Sequence, residues 1–241
     1  MPLAGRLRAV LGAPGAPPLV AARTLGALPI GMVPLAIVLL LRSAGDSYAL
    51  AGLATGAFAL GVAVASPLLG RLVDRVGIAR VLTPLSLTFP ASVVALTLAG
   101  SRHAPAAATI AFALLAGANY PPVGPCMRAL WPRLLDDASL RTVAFSVEAT
   151  LQELAFVGGP PILAGVVALA GPVAGLIVTA VAGGAGALIF ALRARPYRAS
   201  PVAAAGGALR SAGVRDLLVV SAVLGGAFGA FEVAMPAFGE R

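Results

Sequence analysis

The chain contains no lysine, one cysteine, one histidine and one tryptophan. A lone Cys126 excludes an intrachain disulfide. With His103 the sole imidazole, no His/Cys metal cluster can be assembled, and a Ser-His-Asp triad would have to use a residue that falls in a short loop. No glycine-rich phosphate loop of the nucleotide-binding type is present. Charge is scarce as well. Only 11% of the residues are charged and 59% are hydrophobic, where a soluble domain carries roughly 25% charged residues. That leaves too little polar surface to face water, so the solvent for most of the chain is expected to be lipid. No catalytic constellation appears in the connectors, and an enzyme is not expected.

What is present is a series of apolar stretches. A helix needs about 20 apolar residues to cross the hydrocarbon layer. Seven stretches qualify: 22–41, 48–69, 81–100, 105–127, 145–169, 172–192 and 217–238. The first is too long for a signal peptide and is followed by another apolar stretch, which makes it a retained span. The 29 glycines and 20 prolines would break soluble helices but are tolerated in a bundle within lipid. Gly52 and Gly56 form a G-x-x-x-G pair, expected to serve packing within the chain. The fold class is therefore all-α, a polytopic transmembrane helical bundle.

Net charge is +8, all 17 basic residues being arginine. The arginines are spread through short connectors and form no single patch, which argues against nucleic acid as a partner. With a cytoplasmic N-terminus, fourteen lie on the inner side, and three (Arg42, Arg102 and Arg241) on the outer side. The positive-inside rule selects that topology, and a cell (inner) membrane is the expected location. Residues 193–216 are basic and rich in Ala, Gly and Pro, and read as a cytoplasmic connector. They separate a six-helix unit (1–192) from a single further helix (217–241). That arrangement suggests a fragment, a truncated gene product or one piece of a split protein.

One inner connector reads Gly70-Arg71-Leu72-Val73-Asp74-Arg75-Val76-Gly77-Ile78-Ala79-Arg80. An acid among bases at a helix end can make ion pairs in one conformation and break them in another. Gly70 is expected to let the second helix end, and Gly77 to permit a turn, with Arg71 and Arg80 within reach of Asp74. This segment resembles the signature loop between the second and third spans of the major facilitator superfamily, approximately G-x-x-x-D-R-x-G-R-[KR]-x. Gly70, Asp74, Arg75 and Gly77 match in register. Arg80 comes one or two places late, and Ile78 and Ala79 replace the usual basic pair. The resemblance implies two six-helix bundles around a central cavity, each of two inverted three-helix repeats, with access alternating as the bundles rock. It also implies a small-molecule substrate, no bound cofactor, and a second bundle as the contact for the signature acid.

Other candidates lie within the spans. Gly158-Gly159-Pro160-Pro161-Ile162-Leu163-Ala164-Gly165 looks like a degenerate form of the G-P-x-x-G-G element of drug/proton antiporters in that superfamily, with Gly159, Pro160 and Gly165 as helix-bending positions; ordinary kinked packing is the competing reading. Glu148 and Glu153 are five residues apart and so turned about 140° from each other. Glu153 is the deeper and the preferred proton-coupling or ion-pairing group, with Arg23 or Arg128 as partner, whereas Glu148 is expected to reach the inner headgroups. Glu232 is a similar candidate in the last span. Asn119 and Tyr120, followed by Pro121 and Pro122, interrupt the fourth span and are candidates for a substrate cavity. The expected function is a secondary transporter, proton-coupled and exporting a small organic compound; the rivals are an uptake permease for a sugar or other metabolite, and a non-transporting fragment or half-carrier subunit.

Overall fold

The computed structural model describes residues 3–197 and 212–239. Side chains are described up to Tyr197 and in the first part of the last helix, so the Glu232 side chain and most of the 193–216 connector lie outside the described residues. Among the described residues eight helices follow in order: α1 (Leu3–Leu11), α2 (Ala16–Ser43), α3 (Tyr48–Val76), α4 (Ile78–Ser101), α5 (Ala106–Ala118), α6 (Val123–Leu134), α7 (Ala138–Ala194) and α8 (Ala212–Gly239). There is no strand among the described residues.

Among the described residues five segments are long and apolar enough to cross a membrane: α2, α3, α4, the α5–α6 pair and α7. At about 1.5 Å per residue, the 57 residues of α7 would reach about 85 Å, nearly three hydrocarbon thicknesses. The helix instead folds back at Gly171, whose φ of 82° and ψ of 170° are non-helical. It thus supplies the fifth and sixth spans as two arms, 138–170 and 172–194. The fourth span divides between α5 and α6 because Pro121 and Pro122 lack the N–H groups that would continue the ladder and disfavour helix in the residues before them.

Three features differ from the sequence reading. An additional short helix, α1, precedes the first span, and α2 begins at Ala16, earlier than expected, with proline in its first turn. The second helix does not end at Gly70. It runs to Val76, and Gly77 alone joins α3 to α4. Gly70 has open space around it and is an ordinary helical position; polar residues of the last two turns do not oppose helix formation once they project beyond the apolar layer. Gly56 also faces open space, so the close packing expected of it falls elsewhere.

It falls on three glycine–glycine crossings. A Cβ at Gly61 of α3 would strike the Leu114 carbonyl of α5, and one at Gly117 of α5 would strike the Phe58 carbonyl. Gly31 of α2 meets Gly159 in the first arm of α7, and Gly26 of α2 meets Gly186 in the second arm. Helices in lipid gain nothing by hiding apolar groups from water, so close backbone approach and van der Waals contact hold them together. Consistent with lipid as solvent, large apolar side chains line the outside, including Leu53, Leu60, Val64, Leu68 and Leu72 along α3, and Leu169 at 90% exposure.

The buried residues form two separate apolar clusters. One contains Val10, Leu19, Val73, Leu82, Leu130 and Phe190, at the end of the bundle where most arginines lie. The other contains Ile37, Phe58, Leu96, Ala113, Leu163 and Leu176, at the opposite end. Between them, along α2, α3, α4 and both arms of α7, lies an interval belonging to neither.

Candidate functional site

That interval carries the two charged side chains buried among the described residues. Arg23 from α2 and Glu148 from the first arm of α7 are 1% and 2% exposed, with Arg23 Nε 3.6 Å from Glu148 Oε1. Arg128 from α6 approaches the same oxygen at 3.5 Å from the outside, its own side chain being 60% exposed. Arg23 also donates from Nη2 to Gln152 Oε1 at 2.7 Å. Gln152 lies one turn after Glu148, so a single helix face offers both acceptors to one guanidinium. Gly124 faces the pair, 3.7 Å from both Arg23 Nη2 and Glu148 Oε1 to where its Cβ would be. A larger side chain there would enter the ion pair.

The contacts are close but loosely made. Neither oxygen of Glu148 has a hydrogen bond of ordinary geometry, nor do Arg23 Nε and Nη1. The Trp131 indole N–H is also without one, although it is near enough to feel the Glu148 charge. A carboxylate and a guanidinium withdrawn from solvent hold each other through charge, since neither can remain ionised there alone. Among the described residues, two arginines against one carboxylate leave this layer with an excess positive charge. A group so placed is a functional candidate.

The arrangement reverses the order expected of the two glutamates. Glu148 is the buried, paired group, while Glu153 is exposed on the outside of the same helix. The angular separation of five residues was legible in the sequence. Which face α7 turns inward was not, because it is decided by the Gly31–Gly159 crossing.

Tyr120 lies beside this layer, at the break of the fourth span. Its hydroxyl donates to the Gly26 carbonyl at 3.2 Å. Its ring stands edge-on to Phe89 and Phe58, at centroid distances of 5.6 and 6.5 Å. The amide of Asn119 donates to Leu115 O at 2.9 Å, closing the end of α5. Tyr120 therefore couples the break to α2, and Asn119 is engaged by its own helix. In the first arm of α7, the helix continues through Pro160 and Pro161, and the departure from helical backbone is at Gly171. Gly159 packs on Gly31, while Gly165 has open space around it.

At the arginine-rich end, Asp74, Arg75 and Arg80 are all exposed. No ion pair joins Asp74 to Arg71, Arg75 or Arg80 among the described residues. Adjacent residues on a helix diverge by about 100°, so Asp74 and Arg75 point apart and Asp74 is left free of them. No group of three His, Cys, Asp or Glu residues among the described residues is placed to hold a metal ion.

No curated protein and no solved structure matches the chain significantly. The family profile described as Major Facilitator Superfamily matches residues 19–241, from the start of α2 through α8. With an all-α bundle of membrane-crossing helices and a match across nearly its whole length, the chain belongs to the major facilitator superfamily of membrane transporters.

Proposed function

We propose that this chain supplies the N-terminal bundle of a proton-coupled carrier that exports a small organic compound by alternating access. In this reading residues 1–192 form the bundle, 193–216 the cytoplasmic connector, and 217–241 begin a second bundle. The N-terminus is cytoplasmic in a cell (inner) membrane. The observation that carries the coupling assignment is the buried Glu148 carboxylate between Arg23 and Arg128. Proton uptake by Glu148 would remove the only negative charge that the described residues place in the layer. Arg128, already exposed, would then be released toward the substrate path, and Arg23 would be held by Gln152 alone. A charge switch of this kind biases two arrangements of the bundle. The export direction rests on the Gly159-Pro160 to Gly165 element.

The test is reconstitution into vesicles with a pH-sensitive dye inside. Candidate organic cations and neutral compounds are added, and substrate-driven proton movement is recorded together with counterflow exchange. Glu148→Gln is expected to abolish proton movement while retaining counterflow. Unaltered proton movement in that variant, at equal protein incorporation, removes Glu148 from the coupling step. Counterflow with sugars only would favour the uptake reading, and no flux without a co-purifying membrane chain would favour a half-carrier.

Asp74, Arg75 and Gly77 are proposed as a conformational latch whose partner lies on the second bundle. Asp74 is exposed and without an ion-pair partner among the described residues, which suits a group that engages another element.

A further inference from the structure

A second feature at the arginine-rich end is not used by the charge layer. A cavity of about 510 Å³ opens where the end of α3 and the start of α4 meet the end of α7. Arg75 and Arg80 line it on either side of Gly77, and Arg195 and Tyr197 line it from across. Among the described residues no carboxylate lines it, and none of the three arginines has an ion-pair partner. Gly77 is also the N-cap of the 24-residue α4 and offers no side chain to the first N–H groups of that helix. Those N–H groups and the helix dipole add positive potential at the same place. Three guanidinium groups and a helix start around one open cavity suit a tetrahedral oxyanion, which arginine binds through paired N–H groups.

The flank of the cavity is apolar. Val76, 37% exposed, lines it, and Leu72, one turn earlier on α3, is 44% exposed. They continue the outward stripe of Leu53, Leu60, Val64 and Leu68 along the span. An anion bound at the arginines would thus have a hydrocarbon track leading away from it into the membrane. We propose that this cavity binds the phosphodiester headgroup of an anionic phospholipid, with an acyl chain along the α3 stripe. Basic pockets between helices at the membrane surface bind such headgroups through the same forces. The assignment rests on the membrane placement of the bundle and not on Glu148, so its failure would leave the coupling proposal intact.

The experiment uses the purified 241-residue chain in neutral detergent. Phosphatidylglycerol, phosphatidylcholine or inorganic phosphate is added, and thermal unfolding is measured alongside retained lipid by native mass spectrometry. Phosphatidylglycerol is expected to bind and raise the unfolding temperature, and phosphatidylcholine to do neither. Arg80→Gln and Arg195→Gln should each weaken phosphatidylglycerol about fivefold, the worth of one basic residue near an anionic surface. Arg195→Lys should recover part of the loss, and Arg193→Gln, outside the cavity, should leave binding unchanged. Matched elution in size exclusion establishes that each variant is folded, and Arg195→Lys against Arg193→Gln carries the comparison if a glutamine variant at position 80 or 195 is not. Equal binding of the two lipids, or phosphatidylglycerol binding indifferent to both cavity arginines, would overturn the proposal. Protection by inorganic phosphate alone, with the same arginine dependence, would overturn the lipid assignment in favour of a soluble phosphate.

Discussion

At the scale of single residues, the chain places few charges in its interior, and each has a reason to be there. Glu148→Leu would leave Arg23, 1% exposed, with no counter-charge. Breaking a buried pair from one side costs about 3–5 kcal/mol. Arg128→Gln removes a partner that is 60% exposed and should cost under about 1 kcal/mol. Thermal unfolding in detergent compares the two; equal shifts would show that burial of the pair is not what holds Glu148. Asp137 gives a pH dependence of known sign. Its carboxylate accepts from the Ser139 N–H at 2.7 Å, capping α7. That bond holds the Asp137 carboxyl below its usual range. The depressed value means that the ionised cap stabilises the folded chain above the ordinary carboxylate range, and that the contribution is lost as pH falls through the depressed value. The gap in unfolding temperature between the parent chain and Asp137→Ala should therefore narrow on acidification. A gap that stays constant from neutral pH to well below the carboxylate range would remove the cap from the account.

At the scale of elements, two glycines define where spans begin and end. Gly171 and Gly77 have φ of 82° and 95°, with ψ of 170° and 156°. That region is essentially closed to residues with a Cβ and costs about 1–3 kcal/mol. Gly171 has open space around it, so any cost of Gly171→Ala measures backbone strain alone. The variant should lower the unfolding temperature, whereas Gly165→Ala, helical and also in open space, should not lower it. The spans themselves were readable from hydropathy, and so was the break at Pro121 and Pro122. Helix ends were less so. Apolar runs mark the hydrocarbon layer, and a helix continues past it whenever the next residues tolerate helical backbone, as Arg71 to Val76 do. Nor was it readable which glycines would touch: Gly56 obeys the spacing of a packing pair and meets nothing, while Gly61 meets α5.

At the scale of the whole molecule, the distribution of arginine yields two predictions. Arg102→Cys, at the end of α4 opposite the arginine-rich end, should react with a membrane-impermeant maleimide in intact cells. Arg195→Cys should react only after permeabilisation. Cys126 is buried and should contribute little background. The reverse pattern would invert the topology. The latch makes a separate prediction. Asp74→Asn is expected to lower flux in the assembled carrier without lowering the amount inserted in the membrane, because the side chain is exposed and has no ion-pair partner among the described residues. Normal flux at equal expression would end the latch assignment.

Composition and residue order alone establish the medium, the apolar stretches, the arginine-rich side and the family, since each is a property of the linear chain. A shortage of charge selects lipid wherever the helices come to rest, and a Gly/Asp/Arg/Gly frame is a linear pattern. Packing settles that Glu148 rather than Glu153 pairs with Arg23 and Arg128, and that Arg75, Arg80 and Arg195 share a cavity. Those outcomes depend on how α7 is rotated against α2 and on which helix ends are brought together. Backbone contacts at a few glycines fix that rotation, and no periodicity in the chain encodes it.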